Sequence, residues 1–137
     1  MVFGTFDFLH KGHLNFFAQA RRLAKRPFLI VSVARGGNVR RIKKQAPRHS
    51  EAERFLAVRK CPLVDRVVLG GQKNFLPHIL KQKPAIIALG YDQKAYVKDL
   101  RNILAKKRIA IKIKRLKSYR AKVYKSSLVA KRLGLTD

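Results

Sequence analysis

The sequence has no tryptophan, one cysteine and only seven acidic residues among 137. A lone Cys61 excludes an internal disulfide framework and any cysteine-built zinc site. Long apolar runs are absent too. The longest, Phe28–Ala34, contains Ser32 and falls far short of the ~20 residues a bilayer-spanning helix needs. The opening residues have no basic region followed by an apolar stretch, and Asp7 and His10 interrupt them at once, which argues against a signal peptide. No Gly-x-Gly-x-x-Gly fingerprint, Walker A run, zinc-finger spacing or RNP-like aromatic motif occurs. These absences predict a cytoplasmic domain with no membrane partner.

What is abundant is positive charge. Thirty-three Lys and Arg give a net charge of +26. The segment 101–137 holds thirteen of them against Asp137 alone, and 35–60 holds nine against Glu51 and Glu53. Such an excess attracts polyanions, whether nucleotide phosphates or nucleic acid bound non-specifically, without choosing among them. A basic nucleic-acid-binding module is therefore the non-enzymatic alternative. With 47% apolar residues the chain can still bury one core, so 1–137 reads as a single domain.

Strand and helix patterns alternate. Val2–Gly4 reads as a first strand, and a helix follows from about Gly12 to Lys25. Phe28–Ala34 is a continuous apolar, β-branched run, as in a strand buried on both faces. Ser50 with Glu53 three residues later is a capping box opening a second helix. Strands at Val64–Leu69 and Ala85–Leu89 flank a short helix at Phe75–Lys81. A helix at Tyr96–Lys107 leads to a strand in which Ile109, Ile111 and Ile113 alternate with Ala110, Lys112 and Lys114, an edge with one wet face. A last helix is predicted from Ser126–Ser127 to before Gly134. The order implies an α/β, Rossmann-like fold: a five-stranded parallel sheet with right-handed crossovers and helices on both faces.

Ligands of such sheets bind beyond the carboxyl ends of the strands near the switch in strand order. The segment leaving the first strand is Gly4-Thr5-Phe6-Asp7-Phe8-Leu9-His10-Lys11-Gly12-His13. Gly4 permits a tight exit, and Gly12 lets an anion approach the N–H groups at a helix start. His10 and His13, three apart, face one side and can donate to a phosphoryl group as its charge grows. Half of a metal site, or two unrelated surface histidines, are the alternatives from spacing alone.

This ten-residue segment resembles the signature of the cytidylyltransferase-like nucleotidyltransferases, whose His-x-Gly-His motif binds a nucleoside triphosphate. Ser50–Arg54 resembles the second helix of that family, and Leu89–Gln93 resembles the Leu-Gly-x-Asp-Gln segment of archaeal-type FAD synthases. Tyr119 and the Ser126-Ser127 pair resemble the C-terminal nucleotide-binding segment of the same group. The resemblance implies in-line attack of an acceptor phosphate on the α-phosphorus, with Mg²⁺ accompanying the triphosphate and a homodimer expected. It implies catalytic roles for His10, His13, Lys43 and Arg120. Nucleotide binding would fall to Thr5, Phe6, His10, Lys11, Gly12, His13, Asp92, Tyr119, Ser126 and Ser127, with no metal ligand from the protein. The serines are otherwise plain helix caps, Asp92 a cap and Tyr119 an exposed loop residue. Ala46-Pro47 departs from the family, which often has a basic residue before that proline. The substrates implied are ATP and FMN, giving FAD; CTP with glycerol 3-phosphate or a similar phosphorylated polyol is the alternative.

Overall fold

The computed structural model describes residues 1–36, 48–71, 75–91, 93 and 97–118. Five strands alternate with four helices: β1 Val2–Gly4, α1 Lys11–Arg21, β2 Ile30–Val33, α2 Glu51–Arg59, β3 Arg66–Leu69, α3 Phe75–Gln82, β4 Ile86–Leu89, α4 Val97–Lys106 and β5 Lys112–Arg115. All ladders are parallel. β2 pairs with β1 in the register Val2 to Val31 and with β3 in the register Val31 to Val67, and β4 pairs with β5 from Ile86–Lys112 to Leu89–Arg115.

The expected continuous five-stranded sheet is met as a three-stranded and a two-stranded ladder. They are joined where the Met1 amine donates to the Ile86 carbonyl at 2.8 Å and the Ala88 N–H donates to the Met1 carbonyl at 3.0 Å. A three-residue β1 offers too little backbone for a longer ladder on that flank. The spatial order is thus β3-β2-β1-β4-β5, with the switch in direction at the seam between β1 and β4.

Alternation along the strands feeds two cores. Val2, Val31 and Val33 pack with Phe17 of α1 and Val58 of α2 on one face. Phe3 and Ile30 pack with Leu76 and Ile79 of α3 and Leu100 and Leu104 of α4 on the other. Ser32, 3% exposed, occupies a position of the second face that an apolar side chain would ordinarily fill.

Element ends differ from the sequence-based expectation for identifiable reasons. α1 gives way after Arg21 to i→i+3 turns, Leu23 N–H to Ala20 and Ala24 N–H to Arg21, so it stops short of Lys25. Phe28, at the head of the apolar run, remains 57% exposed, with the Arg66 guanidinium 5.0 Å from its ring centroid. β5 begins at Lys112, later than Ile109, because its first donor meets Ala85 of the β4 side while Ile111 N–H turns back to Ile109. Its exposed lysines do line a sheet edge. The expected final helix lies outside the described residues. No helix among those described is long and apolar enough to cross a membrane.

Candidate active site

The β1–α1 turn is built largely by its own residues. Phe6 adopts a left-handed backbone, φ 54°, a conformation costly for a bulky residue. Its ring lies over Gly4, where an added Cβ would stand 2.7 Å from the ring. Gly4 is therefore required for the space it leaves, which corrects the reading of it as a tight exit. Phe6 is 4% exposed and touches Phe17 and the edge of His13, with centroids 5.5 and 5.3 Å away. Its side chain supports the turn from below, and only its backbone can meet a ligand.

His10 is the N-cap of α1. Its Nδ1 accepts from Gly12 N–H at 3.1 Å, and His13 Nδ1 accepts from His10 N–H at 3.3 Å, a capping box made of imidazoles. A neutral ring that accepts at Nδ1 carries its hydrogen at Nε2. Both histidines are thereby set as Nε2–H donors. Their rings stack at 3.9 Å and 27°, and burial holds the His10 pKa below the usual imidazole range. The N–H groups of His13 and Leu14 both donate to the His10 carbonyl. The backbone donors expected for an anion at Gly12 are thus largely engaged by His10. Lys11 is exposed at the first position of α1.

The turn is braced from α2. Arg54, 1% exposed, donates from Nη1 to the carbonyls of Thr5 (3.0 Å) and Ala34 (2.6 Å) and from Nε to that of His49 (3.2 Å). It ties the carboxyl ends of β1 and β2 to the start of α2. Burial lowers its pKa, opposed by the charges of Asp7 and Glu51.

Carboxylates are scarce, and those whose side chains are described all hold backbone. Asp7 accepts from Arg48 N–H and His49 N–H at 2.7 and 2.8 Å, Glu51 from Gly36 N–H at 2.6 Å, Glu53 from Ser50 N–H and Asp65 from Leu29 N–H at 2.7 Å. Asp7 and Glu51 thus hold the backbone at Arg48–His49 and at Gly36. Among the described residues no three His, Cys, Asp or Glu side chains could hold a metal ion.

Across the seam, the β4–α4 turn is held by its own Gln93 and by a residue of β5. Gln93 accepts from Gly90 N–H at 2.8 Å and donates to the Phe3 carbonyl of β1 at 2.7 Å. Arg115, at the end of β5, donates to the carbonyls of Gly90 and Gln93 at 2.8 and 2.9 Å. Beyond β5, Lys117 exchanges two hydrogen bonds with Gln19 of α1, which fixes where the C-terminal segment leaves. Lys43, Asp92, Tyr119, Arg120, Ser126 and Ser127 lie outside the described residues. Thr5, Phe6, His10, Lys11, Gly12 and His13 come together at the carboxyl end of β1, beside the seam. Sequence reasoning missed Asp7, Gln93 and Arg115; the first two stand inside the quoted motifs, and only their bonding partners reveal their work. A cleft of about 450 Å³ at the opposite, amino end of the strands, lined by Leu23, Phe28 and Pro84 among others, contains none of these residues.

A family model described as cytidylyltransferase-like matches residues 1–132. A FAD synthase of Korarchaeum cryptofilum is 44% identical over 117 residues, 85% of this chain and 79% of that protein. A FAD synthase of Thermoplasma volcanium is 34% identical over 133 residues, 97% and 92% of the two chains. A crystal structure from Thermoplasma volcanium GSS1, titled a lipopolysaccharide core biosynthesis protein, matches with a TM-score of 0.79 at 34% identity, covering 87% of this chain and 95% of that one.

Proposed function

This chain belongs to the cytidylyltransferase-like family, and on that premise we propose that it transfers the AMP moiety of ATP to FMN, giving FAD and pyrophosphate. The acceptor is taken from the archaeal FAD synthases it resembles over most of its length. The observation that carries the chemistry is the imidazole capping box, which presets both histidines as Nε2–H donors at the carboxyl end of β1.

A phosphate oxygen of FMN attacks the α-phosphorus of ATP in line. The bond to the bridging oxygen of the β-phosphate breaks, and pyrophosphate leaves with that electron pair. Nothing covalent forms on the protein, so positioning and charge neutralisation supply the rate. His10 and His13 donate to the phosphoryl oxygens as their charge grows. With Nδ1 engaged as an acceptor, His10 donates from Nε2 and adds no positive charge against its stacked neighbour. Lys11 and Lys43 offset phosphate charge. Ser126 and Ser127 bind the β and γ phosphates, Arg120 the leaving pyrophosphate, and Asp92 and Tyr119 the nucleoside, all by resemblance. Mg²⁺ brought with the triphosphate would offset part of its charge; the described carboxylates, each engaged with backbone, suit a metal brought by substrate.

With ATP, Mg²⁺ and FMN the protein should form FAD, separable by chromatography, and pyrophosphate in equal amount. Turnover of CTP with glycerol 3-phosphate but not of ATP with FMN would replace this reading with cytidylyl transfer. Tight, steeply salt-dependent duplex binding with no triphosphate turnover would replace it with a nucleic-acid module.

A further inference from the structure

One polar cluster is unused by this mechanism. Ser32, buried in β2, shares a 2.8 Å hydrogen bond with His78 Nε2 of α3. Arg35, two residues beyond β2, donates from Nε to the Gly70 carbonyl at the exit of β3, 2.7 Å away. Its terminal nitrogens and His78 Nδ1 have no other partner among the described residues. Burial first, then the Arg35 and Lys81 charges, hold the His78 pKa below its ordinary value. The imidazole is therefore neutral, with one donor and one acceptor nitrogen. A buried serine holding a half-exposed histidine beside an anchored guanidinium has more polar capacity than packing β2 against α3 requires.

On the FMN reading, the resemblance of Leu89–Gln93 puts the nucleoside end of ATP on the β4 side of the seam, beside Gly90, which Gln93 and Arg115 hold. In-line attack brings the acceptor from the side opposite the leaving pyrophosphate. Its body then extends from β1 over the ends of β2 and β3, toward Arg35, Gly70 and His78. We infer that Arg35 and His78, with Ser32 orienting the imidazole, form the subsite that receives the flavin ring of the acceptor. The pyrimidine edge of that ring alternates carbonyl oxygens with an imide N–H. A guanidinium donates to the former, and a neutral imidazole can serve either. Gly70 and Gly71 keep the adjoining strand exit free of side chains. The assignment rests on the FMN reading above.

The test is steady-state FAD formation by Arg35→Gln, His78→Gln and Ser32→Ala, each first checked for wild-type circular dichroism and melting. The first two should raise KM for FMN roughly tenfold, the loss of one good hydrogen bond, and Ser32→Ala should raise it severalfold. KM for ATP should not move in any of them. Lumiflavin, which carries the ring without ribityl phosphate, should compete with FMN in the wild type and less well in Arg35→Gln and His78→Gln. Folded variants with unchanged KM for FMN, in a wild-type protein that does make FAD, overturn the subsite and leave the function standing. Weaker FMN binding with unchanged lumiflavin inhibition also overturns it, by assigning Arg35 to the phosphate. A wild-type protein that makes no FAD overturns the function, and this inference with it.

Discussion

The two turns that face each other across the β1–β4 seam are stabilised in opposite ways. The β1–α1 turn carries its own supports: Phe6 covers Gly4, and His10 and His13 cap α1 reciprocally. Arg54 is its main brace from outside. The β4–α4 turn has one support of its own, Gln93, and even that reaches across to Phe3, while Arg115 arrives from β5. On the proposed function, a turn that presents two donors to a reacting phosphorus is preorganised locally. The turn proposed to meet the nucleoside takes its position from the sheet, so its geometry reports whether the seam has closed.

The largest effect should come from separating cap from chemistry in the first turn. His10→Asn keeps a side-chain acceptor for the Gly12 N–H but removes the Nε2–H donor, and His13→Ala removes the donor outright. Each should lower kcat by roughly a hundredfold or more, as loss of a preorganised donor does. His10→Ala should add a cap loss of about 1 kcal/mol, read as a lower melting temperature, while His10→Asn should not. Near-wild-type turnover in His10→Asn would show that the imidazole acts only as a cap.

Removing the external brace should instead be felt in stability. Arg54→Leu leaves the Thr5 and Ala34 carbonyls without their buried donor and should cost roughly 2 kcal/mol in chemical denaturation, the scale of a buried acceptor left unsatisfied. An unchanged midpoint would mean that the first turn needs no brace at all. The second turn should respond differently. Gln93→Ala cuts the link from Gly90 to Phe3 and should raise KM for ATP by about tenfold, on the scale of a hydrogen bond, with a smaller change in kcat. Equal effects on both parameters would erase the contrast between the turns.

The smallest effect is a dependence on pH. His10 and His78 both have imidazole pKa values lowered by burial from the ordinary 6.5. The unfolded chain therefore binds more protons than the folded one between the lowered values and 6.5. The share of stability that these two histidines supply should be at its full value above pH 6.5 and decline as pH falls through that window, beside a separate rise up to pH 8.0 from the Met1 amine, which burial lowers from 8.0 to about 6. The slope should flatten in His10→Asn and again in His78→Gln. A slope unchanged by both substitutions would place the responsible groups elsewhere.

Much of this was legible along the chain. The continuous apolar run in Phe28–Ala34, the Ser50–Glu53 box and the lysine edge of β5 each reappear in the fold, because each is a local pattern with a local physical cause. The ten residues from Gly4 to His13 were legible as a turn into a helix for the same reason, since their spacing alone puts both histidines on one side of a helix start. What Gly4, Gln93, Arg54 and Ser32 do was not legible. Gly4 answers to a ring two residues away that folds back on it, Gln93 to a carbonyl of β1, Arg54 to two strand ends and Ser32 to a histidine on α3. By itself the sequence determined the elements, their alternation and the chemistry of the motif, all of which depend on near neighbours. Only the tertiary structure decided that Asp7, Glu51 and Asp65 hold the backbone of distant segments, and that β1 meets β4 through two hydrogen bonds. Those outcomes depend on which polar groups the closing core brings within 3 Å of one another, and spacing along the chain carries no record of that.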